Sequence, residues 1–426
     1  MRKLFAAIGR RRLAFALVLV ALAGGVAAAV LATRHASSQT TASVALRPPA
    51  RPAAPTRSAP AHGGSEHRLH KRPAAKLKRA APAHKAHPKR SKPAAHAASD
   101  RPRAIPASAM RPISVPPPRI TRVAYFVAPD GSDRNSGTSP ERPWRTVARV
   151  NRAHLVPGDG VLFAGGQRFS DQPLKPAASG VRGAQIVFAS YGSGQAAITQ
   201  GVYFIDRGGL TFYNLAIGPD AGLQGGDESG HTADNIVVQH CTIRLSADNP
   251  AVGINANGDD WTIVDNDVAE IGNSGMLLSG DTFLISGNTI ERTGLDPGID
   301  YAKHGIYLKV SHAIVVANTI SDFSSDGVSA RFRDSRITGN RISDGAIGIA
   351  WFQYDPDAGT SRWADNEISG TSDAGIYVSP SDQGGATRES FVITHNNISS
   401  DAASPRWLAL NLQPTSGTYH VGGNSP

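Results

Sequence analysis

Five side chains able to carry acid–base chemistry next to a carboxylate lie within 28 residues of one another. They are His304, Tyr307, Lys309, Asp326 and Arg331. An imidazole or a phenol can move a proton, whereas lysine and arginine can neutralise a carboxylate whose neighbouring proton is removed. Because an equivalent position recurs 22 residues later, His304 corresponds to Asp326 and Lys309 to Arg331. We therefore predict a catalytic site in which Asp326 orients His304 or keeps it charged.

Other polar and aromatic residues are predicted to extend this site. Alternate residues along a β-strand point to the same side. By this criterion the predicted substrate-binding residues are Asn255, Asn257, Arg333, Phe352 and Tyr377. The segment 291–303 is the longest turn of its kind and contains Asp296, Asp300 and Tyr301, so it is predicted to wall a groove over the site.

The same residues also fit two simpler interpretations. One is a solvated sheet face on which Asp326, Asp334 or Asp300 balances the cations, and the other is a surface that binds a ligand without chemistry. Like charges side by side on neighbouring strands are normally destabilising, so Lys309 beside Arg331 favours an anion bound over the pair. A uronic-acid carboxylate fits, because its charge must be neutralised before the adjacent proton is abstracted.

An internal repeat positions these side chains. The pattern apolar–x–x–Asn–x–apolar recurs with a mean period of about 26 residues. It occurs at Asn266, Asn288, Asn318, Asn340, Asn366 and Asn396, and two earlier repeats carry Leu215 and Cys241 in the asparagine position. Between the asparagines, an alternating pattern begins at Gly253, Gly275, Gly305, Gly327, Gly348 and Gly375. Repeats of this length hold two or three short strands but no crossover helix, so they predict an all-β parallel solenoid.

The recurring asparagines are predicted to form a structural ladder rather than a site. Stacked one period apart, their amides can hydrogen-bond along the solenoid axis and to the turn backbone. Cys241, in the same column, is expected to be a small buried apolar residue and not a nucleophile.

Two motifs before the repeat, taken together with the repeat itself, resemble the sequences of a known protein family. They are YFVAPDG at 125–131 and PGDGVLF at 157–163. The chain resembles the right-handed parallel β-helix proteins of the pectin-lyase-like superfamily over residues 120–415. The resemblance implies a right-handed, single-stranded parallel β-helix with coils of about 26 residues. It also implies a short N-terminal capping helix within 144–153 and an activity like that of secreted polysaccharide lyases and epimerases.

The resemblance favours elimination over hydrolysis. Lys309 and Arg331 are similar in kind to the base of pectate-type lyases, and His304 with Tyr307 to the Tyr/His pair of mannuronan epimerases and alginate lyases. Within residues 121–426 the Arg-x-Lys motif of polygalacturonases is absent. No metal site is predicted, because the sequence contains no convincing calcium cluster, and a requirement for Ca²⁺ stays open.

Residues 1–34 are predicted to be a signal peptide or an N-terminal transmembrane anchor. They contain six Lys/Arg and no acidic residue, and 13–32 is uncharged. Twenty residues span about 30 Å as a helix, enough to cross a bilayer core, while the alanines at 27–29 offer a signal-peptidase site. The remainder is therefore expected to be extracellular or in the cell envelope, secreted or held by a single membrane span.

Residues 35–120 are predicted to be a disordered basic linker rich in Pro, Ala, Lys and His. Residues 35–119 carry 17 Lys/Arg against two acidic residues, Glu66 and Asp100. This segment has too little apolar surface to drive folding. Its positive charge suits contact with acidic wall polymers or lipid headgroups. The remaining chain carries 21 basic and 32 acidic residues. This balance argues against nucleic-acid binding by the β-helix domain, residues 121–426.

The sequence thus predicts an exported carbohydrate-active β-helix protein, monomeric, acting on an acidic polysaccharide or cell-wall glycan by β-elimination or epimerisation. The alternative is a non-catalytic surface protein that binds glycans or serves a structural role.

Overall fold

A computed structural model describes residues 44–45, 105–299, 303–352, 354, 357–379, 388–400, 406–410 and 418–425. Its internal contacts divide the chain after Thr40, so every described residue belongs to the second unit, Thr41–Pro426. The predicted apolar segment 13–32 lies outside the described residues. Among the helices that the structure describes, none has the length and apolar character required to cross a membrane.

The chain folds as a parallel β-solenoid of about nine turns, as the repeat predicts. Each complete turn contributes to three faces, here called A, B and C, and face A has additional strands at the ends of the solenoid. The strands are numbered in chain order. Face A contains β3 (Ala124–Val127), β4 (Gly160–Ala164), β6 (Ile186–Tyr191), β9 (Leu210–Tyr213), β12 (Ile236–Gln239), the ends of β14 (Ile254–Val264) and β16 (Met276–Ser286), β19 (Ile314–Val316), β22 (Arg336–Thr338), β24 (Gly359–Ala364), β26 (Glu389–Thr394) and β29 (Tyr419–Gly422).

Face B follows the asparagine position in each turn. It contains β5 (Arg168–Phe169), β7 (Ala196–Ile198), β10 (Leu215–Ile217), β13 (Thr242–Arg244), β15 (Asp267–Ile271), β17 (Thr289–Thr293), β20 (Thr319–Phe323), the beginnings of β23 (Arg341–Phe352) and β25 (Glu367–Ser379), and β27 (Asn397–Ser400).

Face C follows the recurring glycine and carries the candidate site. It contains β8 (Val202–Phe204), β11 (Leu223–Gly225), the beginnings of β14 and β16, β18 (Ile306–Ser311), β21 (Asp326–Ala330), the ends of β23 and β25, and β28 (Arg406–Leu410). Every pairing between these strands is parallel, so equivalent residues of successive turns lie side by side in columns.

The core is one continuous apolar column inside the coil. Alternate residues of each strand point inward, as in β18, where Ile306, Leu308 and Val310 are fully buried. Stacked aromatic rings fill the wider turns, for example Trp261 on Phe283 with ring centroids 6.0 Å apart. Burial of such columns stabilises each turn against its neighbours, and no single turn could bury its apolar face alone.

The asparagine ladder runs along the turn between faces A and B. The Oδ1 atom of each asparagine accepts hydrogen bonds from the backbone N–H and side-chain amide of the preceding one, as between Asn288 and Asn318, at 2.9 Å for both. The amide also donates across the turn, for example from Asn318 Nδ2 to the Ile285 carbonyl oxygen at 3.0 Å. The structure adds Asn424 to the ladder, which the sequence pattern missed because no apolar residue follows it two places later.

The N-terminal end carries a single-turn helix, α1 (Val147–Asn151), within the stretch predicted to contain a capping helix. Thr146 caps it by accepting a hydrogen bond from the Arg149 N–H at 3.0 Å. Val147 and Val150 are buried and join the core cluster beside Trp144. The helix thereby covers apolar residues of the first turns.

Residues 105–118, here called the strap, lie along the outside of face A. The Ile113 N–H donates to Ser286 Oγ and Gln239 Nε2 donates to the Val115 carbonyl oxygen, both at 2.8 Å. Beyond the strap, β2 (Arg119–Ile120) pairs antiparallel with β1 (Val44–Ala45). This segment falls in the range predicted to be disordered linker. Amino-acid composition does not reveal the contacts of this segment, because its backbone groups form hydrogen bonds with side chains that are distant in sequence.

Candidate functional site

The solenoid brings the five predicted catalytic residues onto two adjacent turns of face C. Tyr307 and Lys309 lie on β18, and His304 lies two residues before the first residue of that strand. Asp326 begins β21 and Arg331 follows it. Tyr307 pairs with Ser329 of the next turn. Side chains that share a column are about 5 Å apart in such a sheet, which is the spacing of a compact site.

His304 and Asp326 form a buried pair. The Nδ1 atom of His304 is 3.2 Å from Asp326 Oδ2, and the two side chains are only 7% and 4% exposed. The same Nδ1 is 3.3 Å from the backbone N–H of Asp326. A protonated Nδ1 can donate to the carboxylate, which leaves Nε2 as the basic nitrogen, whereas an unprotonated Nδ1 can accept from the N–H. The carboxylate therefore favours the form in which Nε2 can take a proton.

Tyr307 lies between the buried pair and the two cations. Its ring centroid is 4.8 Å from that of His304, and it is 5.1 Å from Lys309 Nζ and 5.1 Å from Arg331 Cζ. Burial raises the pKa of the Tyr307 phenol, Arg331 opposes that effect, and a hydrogen bond with Tyr354 adds to it. At neutral pH the phenol is thus protonated and can serve as a proton donor.

Arg331 differs most from its predicted environment. The sequence places it on an outward position, yet it is only 8% exposed. Its guanidinium lies against three aromatic rings, with Cζ 4.4 Å from the Phe352 centroid, 5.1 Å from Tyr307 and 5.4 Å from Tyr354. Cation–π contacts of this kind offset part of the cost of removing a charge from water. Lys309 and Arg331, which are predicted to lie side by side, thus both contact the Tyr307 ring.

Phe352 and Tyr377 extend the aromatic surface towards the C-terminal turns. Their ring centroids are 5.5 Å apart with an interplanar angle of 45°, and both side chains are partly exposed. Tyr354 follows on the same side and is 48% exposed. The sequence analysis missed Tyr354 because this residue lies beyond the repeat pattern. Its spacing of two residues from Phe352 was the available signal, since alternate residues of an extended chain share a face.

Asn257 and Lys309 contact a loop from an earlier turn. Asn257 Nδ2 donates to the carbonyl oxygens of Asp227 and His231, the latter at 3.3 Å. Glu228 of the same loop places Oε1 3.4 Å from Lys309 Nζ. Sequence reasoning missed Glu228, because no periodicity links a loop residue to a side chain 81 positions away.

The remaining predicted residues lie at varying distances from the centre. Asn255 is two turns from Tyr307 in the same column, with Leu277 between them. Arg333 is in the turn from face C to face A, where Nη1 is 2.6 Å from Asp357 Oδ2. Asp300 and Tyr301 of the predicted groove wall lie outside the described residues. In the described part of 291–303, Asp296 Oδ1 accepts the Gly298 N–H at 2.7 Å.

A second concave region lies at the N-terminal turns. It encloses about 560 Å³ and is lined by residues that include Asp130, Glu141 and Tyr191. Face C is nevertheless the stronger candidate, because it combines a buried His–Asp pair, a phenol and two cations within contact distance. Within the described ranges, no group of three or more His, Cys, Asp or Glu side chains is arranged to hold a metal ion.

Comparisons with known proteins agree with this architecture. Residues 230–411 match the family described as periplasmic copper-binding protein (NosD). A 71-residue stretch is 38% identical to lacto-N-biosidase from Bifidobacterium longum subsp. longum, which covers 16% of this chain and only 4% of that protein. The chain therefore spans a small fraction of this curated relative.

Several solved structures superpose on this chain. The complex of XylC with xylose superposes with a TM-score of 0.50 at 11% identity, over 67% of this chain and 70% of that one. The GH136 lacto-N-biosidase from Eubacterium ramulus gives 0.49 at 18% identity, over 71% and 67%. Pectate lyase Pel9A gives 0.48 at 14% identity, over 71% and 77%. The likeness to the XylC complex supports the parallel β-helix fold that the strand pairings of this chain show.

Proposed function

We propose that this protein is a carbohydrate-active β-helix protein that acts on a uronate-containing polysaccharide at face C, by β-elimination or epimerisation. The observation that carries the proposal is the buried His304–Asp326 pair beside Tyr307, whose ring also contacts Lys309 and Arg331. The names of the similar proteins, which include a lacto-N-biosidase and a pectate lyase, support a glycan ligand in general.

The proposed reaction begins at the sugar carbon that bears the carboxylate. Lys309 and Arg331 stabilise the negative charge that develops on the carboxylate when the adjacent C5–H bond breaks. His304 Nε2 accepts that proton while Asp326 stabilises the imidazolium. In elimination the electron pair forms the C4=C5 bond, the C4–O4 bond breaks and Tyr307 protonates the departing oxygen. In epimerisation a proton returns to C5 from the opposite side.

We also propose that the protein works outside the cytoplasm. The basic cluster followed by the uncharged segment 13–32 supports export, and the matching family is described as periplasmic. A retained helix would anchor the protein to the membrane, and the basic linker would contact acidic polymers near it.

A panel assay tests the proposed activity. The full chain is incubated with pectate, alginate and glycosaminoglycans, and unsaturated uronate is followed by ultraviolet absorbance while C5 configuration is followed by NMR. We expect activity on at least one polymer, reduced at least a hundredfold in His304→Gln. His312→Gln is the matched control, because His312 is half-exposed and pairs with Asp281 in another turn. New reducing ends without unsaturation would contradict elimination and indicate hydrolysis.

The second candidate is a surface that binds glycans without chemistry. The row formed by Phe352, Tyr354 and Tyr377 favours it, since aromatic rings stack on sugar rings. Binding of a polymer with no change in its covalent structure or configuration would identify this function instead.

A further inference from the structure

The loop 226–231 crosses from an early turn to the candidate site. It follows β11, whose residue Gly225 pairs with Ala256 on the next turn. Two more turns separate that position from β18, so the contact between Glu228 and Lys309 bridges three turn spacings, about 14 Å at 4.8 Å per turn. Asp227 holds the loop closed, since its N–H donates to the His231 carbonyl oxygen at 2.9 Å.

Two contacts fasten this loop to the body of the solenoid. At its base, Asn257 donates to the carbonyl oxygens of Asp227 and His231. At its end, His231 Nδ1 is 2.8 Å from Asp206 Oδ2, and this hydrogen bond raises the pKa of His231. The tip between these fastenings carries Glu228, which is therefore presented to face C by an anchored loop.

Glu228 places its carboxylate on a cation of the candidate site. Its Oε1 lies 3.4 Å from Lys309 Nζ, and its side chain is 75% exposed against 30% for Lys309. An ion pair with so exposed a carboxylate is weak, because water solvates the carboxylate well. An incoming anion can therefore take the place of Glu228 without breaking a strong interaction.

We infer that Glu228 is a built-in competitor for the anion position at Lys309, which makes the loop 226–231 a specificity element. A ligand with a carboxylate replaces the lost contact to Lys309, whereas a neutral ligand that displaces Glu228 leaves the lysine without a counter-ion. The identity of the natural anion as a uronate rests on the proposed function. The competition itself rests only on the Glu228–Lys309 contact.

The test compares four variants with the unmodified protein and uses two kinds of probe. The variants are Glu228→Gln, Lys309→Met, the double substitution, and Glu367→Gln as the matched control. Glu367 forms an ion pair with Arg341 on face B, at 3.0 Å, and both of these side chains are exposed. Inorganic sulfate probes the anion position alone, and pectate is compared with its neutral methyl ester. Affinities are measured by NMR titration of the full chain.

We expect Glu228→Gln to bind sulfate and pectate at least threefold more tightly than the unmodified protein, with no gain for the methyl ester. Glu367→Gln should leave these affinities unchanged, and Lys309→Met should cancel the gain in the double variant. Equal sulfate affinity in Glu228→Gln and the unmodified protein would overturn the inference. If sulfate binding improves but no uronate polymer is bound or turned over, the proposed function fails while the competition stands. If a uronate is turned over and Glu228→Gln affects neither probe, the competition fails alone.

Discussion

The chemistry of single residues in this protein is set by what surrounds them. Arg331 illustrates the point, since a guanidinium on an outward position would be solvated in a regular solenoid. Here Tyr307, Phe352 and Tyr354 enclose it, so its charge contributes to packing as well as to the potential at the site. Its aromatic contacts and low exposure both follow from side chains on the preceding and following turns.

Arg331→Ser should consequently destabilise the fold. Removing the guanidinium leaves a gap between three rings and deletes contacts of about 0.5–2 kcal/mol each. We expect the unfolding free energy to fall by about 1–3 kcal/mol, measured by denaturant unfolding. Lys309→Ser is the control on the same column and should change stability by less than about 0.5 kcal/mol, because Lys309 is partly exposed. An unchanged or higher stability of Arg331→Ser would show that the rings do not hold the arginine.

At the scale of elements, the sequence predicts the positions of residues that belong to the repeat and does not predict the positions of residues outside it. The columns of face C follow from the spacing of the recurring glycines, and the register pairs Leu277 with Tyr307 as that spacing requires. Glu228 and Tyr354 could not be predicted in this way. Their positions depend on loop conformations and on contacts between residues far apart in sequence, which a periodic pattern does not encode.

The asparagine ladder is an element whose loss has a defined cost. Asn318 is buried and its amide donates to Asn340, Ile285 and Val316 acceptors. Asn318→Ala leaves those groups without this donor, so we expect a loss of about 1–3 kcal/mol in unfolding free energy by chemical denaturation. Asn255→Ala, at a half-buried outward position on β14, should cost clearly less. Equal losses would show that burial in the turn is not what makes the ladder residue important.

The strap is predicted to contribute to the stability of the solenoid. Ile120, just beyond it, is 1% exposed and packs with Leu162, Val187 and Tyr213 on the outside of face A. Deletion of residues 1–104 removes only the two-residue strand β1 from these contacts and should therefore change the melting temperature of the solenoid little. Deletion of residues 1–120 should lower it by several degrees, because the Ile120 contacts and the strap hydrogen bonds are both lost. Equal melting of the two proteins, measured by circular dichroism, would show that 105–120 adds no stability.

For the whole molecule, the parallel register of the solenoid places residues that are one sequence period apart side by side in columns. One face thereby collects a buried imidazole–carboxylate pair, a phenol of raised pKa and two cations, although these residues belong to different turns. The apolar column behind them resists deformation because each turn packs on both neighbours. Such a face can hold an extended polymer against fixed groups.

Loss of the C5 proton is the event that elimination and epimerisation share, and it tests the central claim most directly. A uronate polymer that binds the protein is incubated in D₂O, and its C5–H signal is followed by NMR. We predict that the signal decays with the unmodified protein and persists with His304→Gln, while both proteins bind the polymer equally. A C5–H signal that persists with the unmodified protein, on every uronate polymer it binds, would contradict proton abstraction at face C.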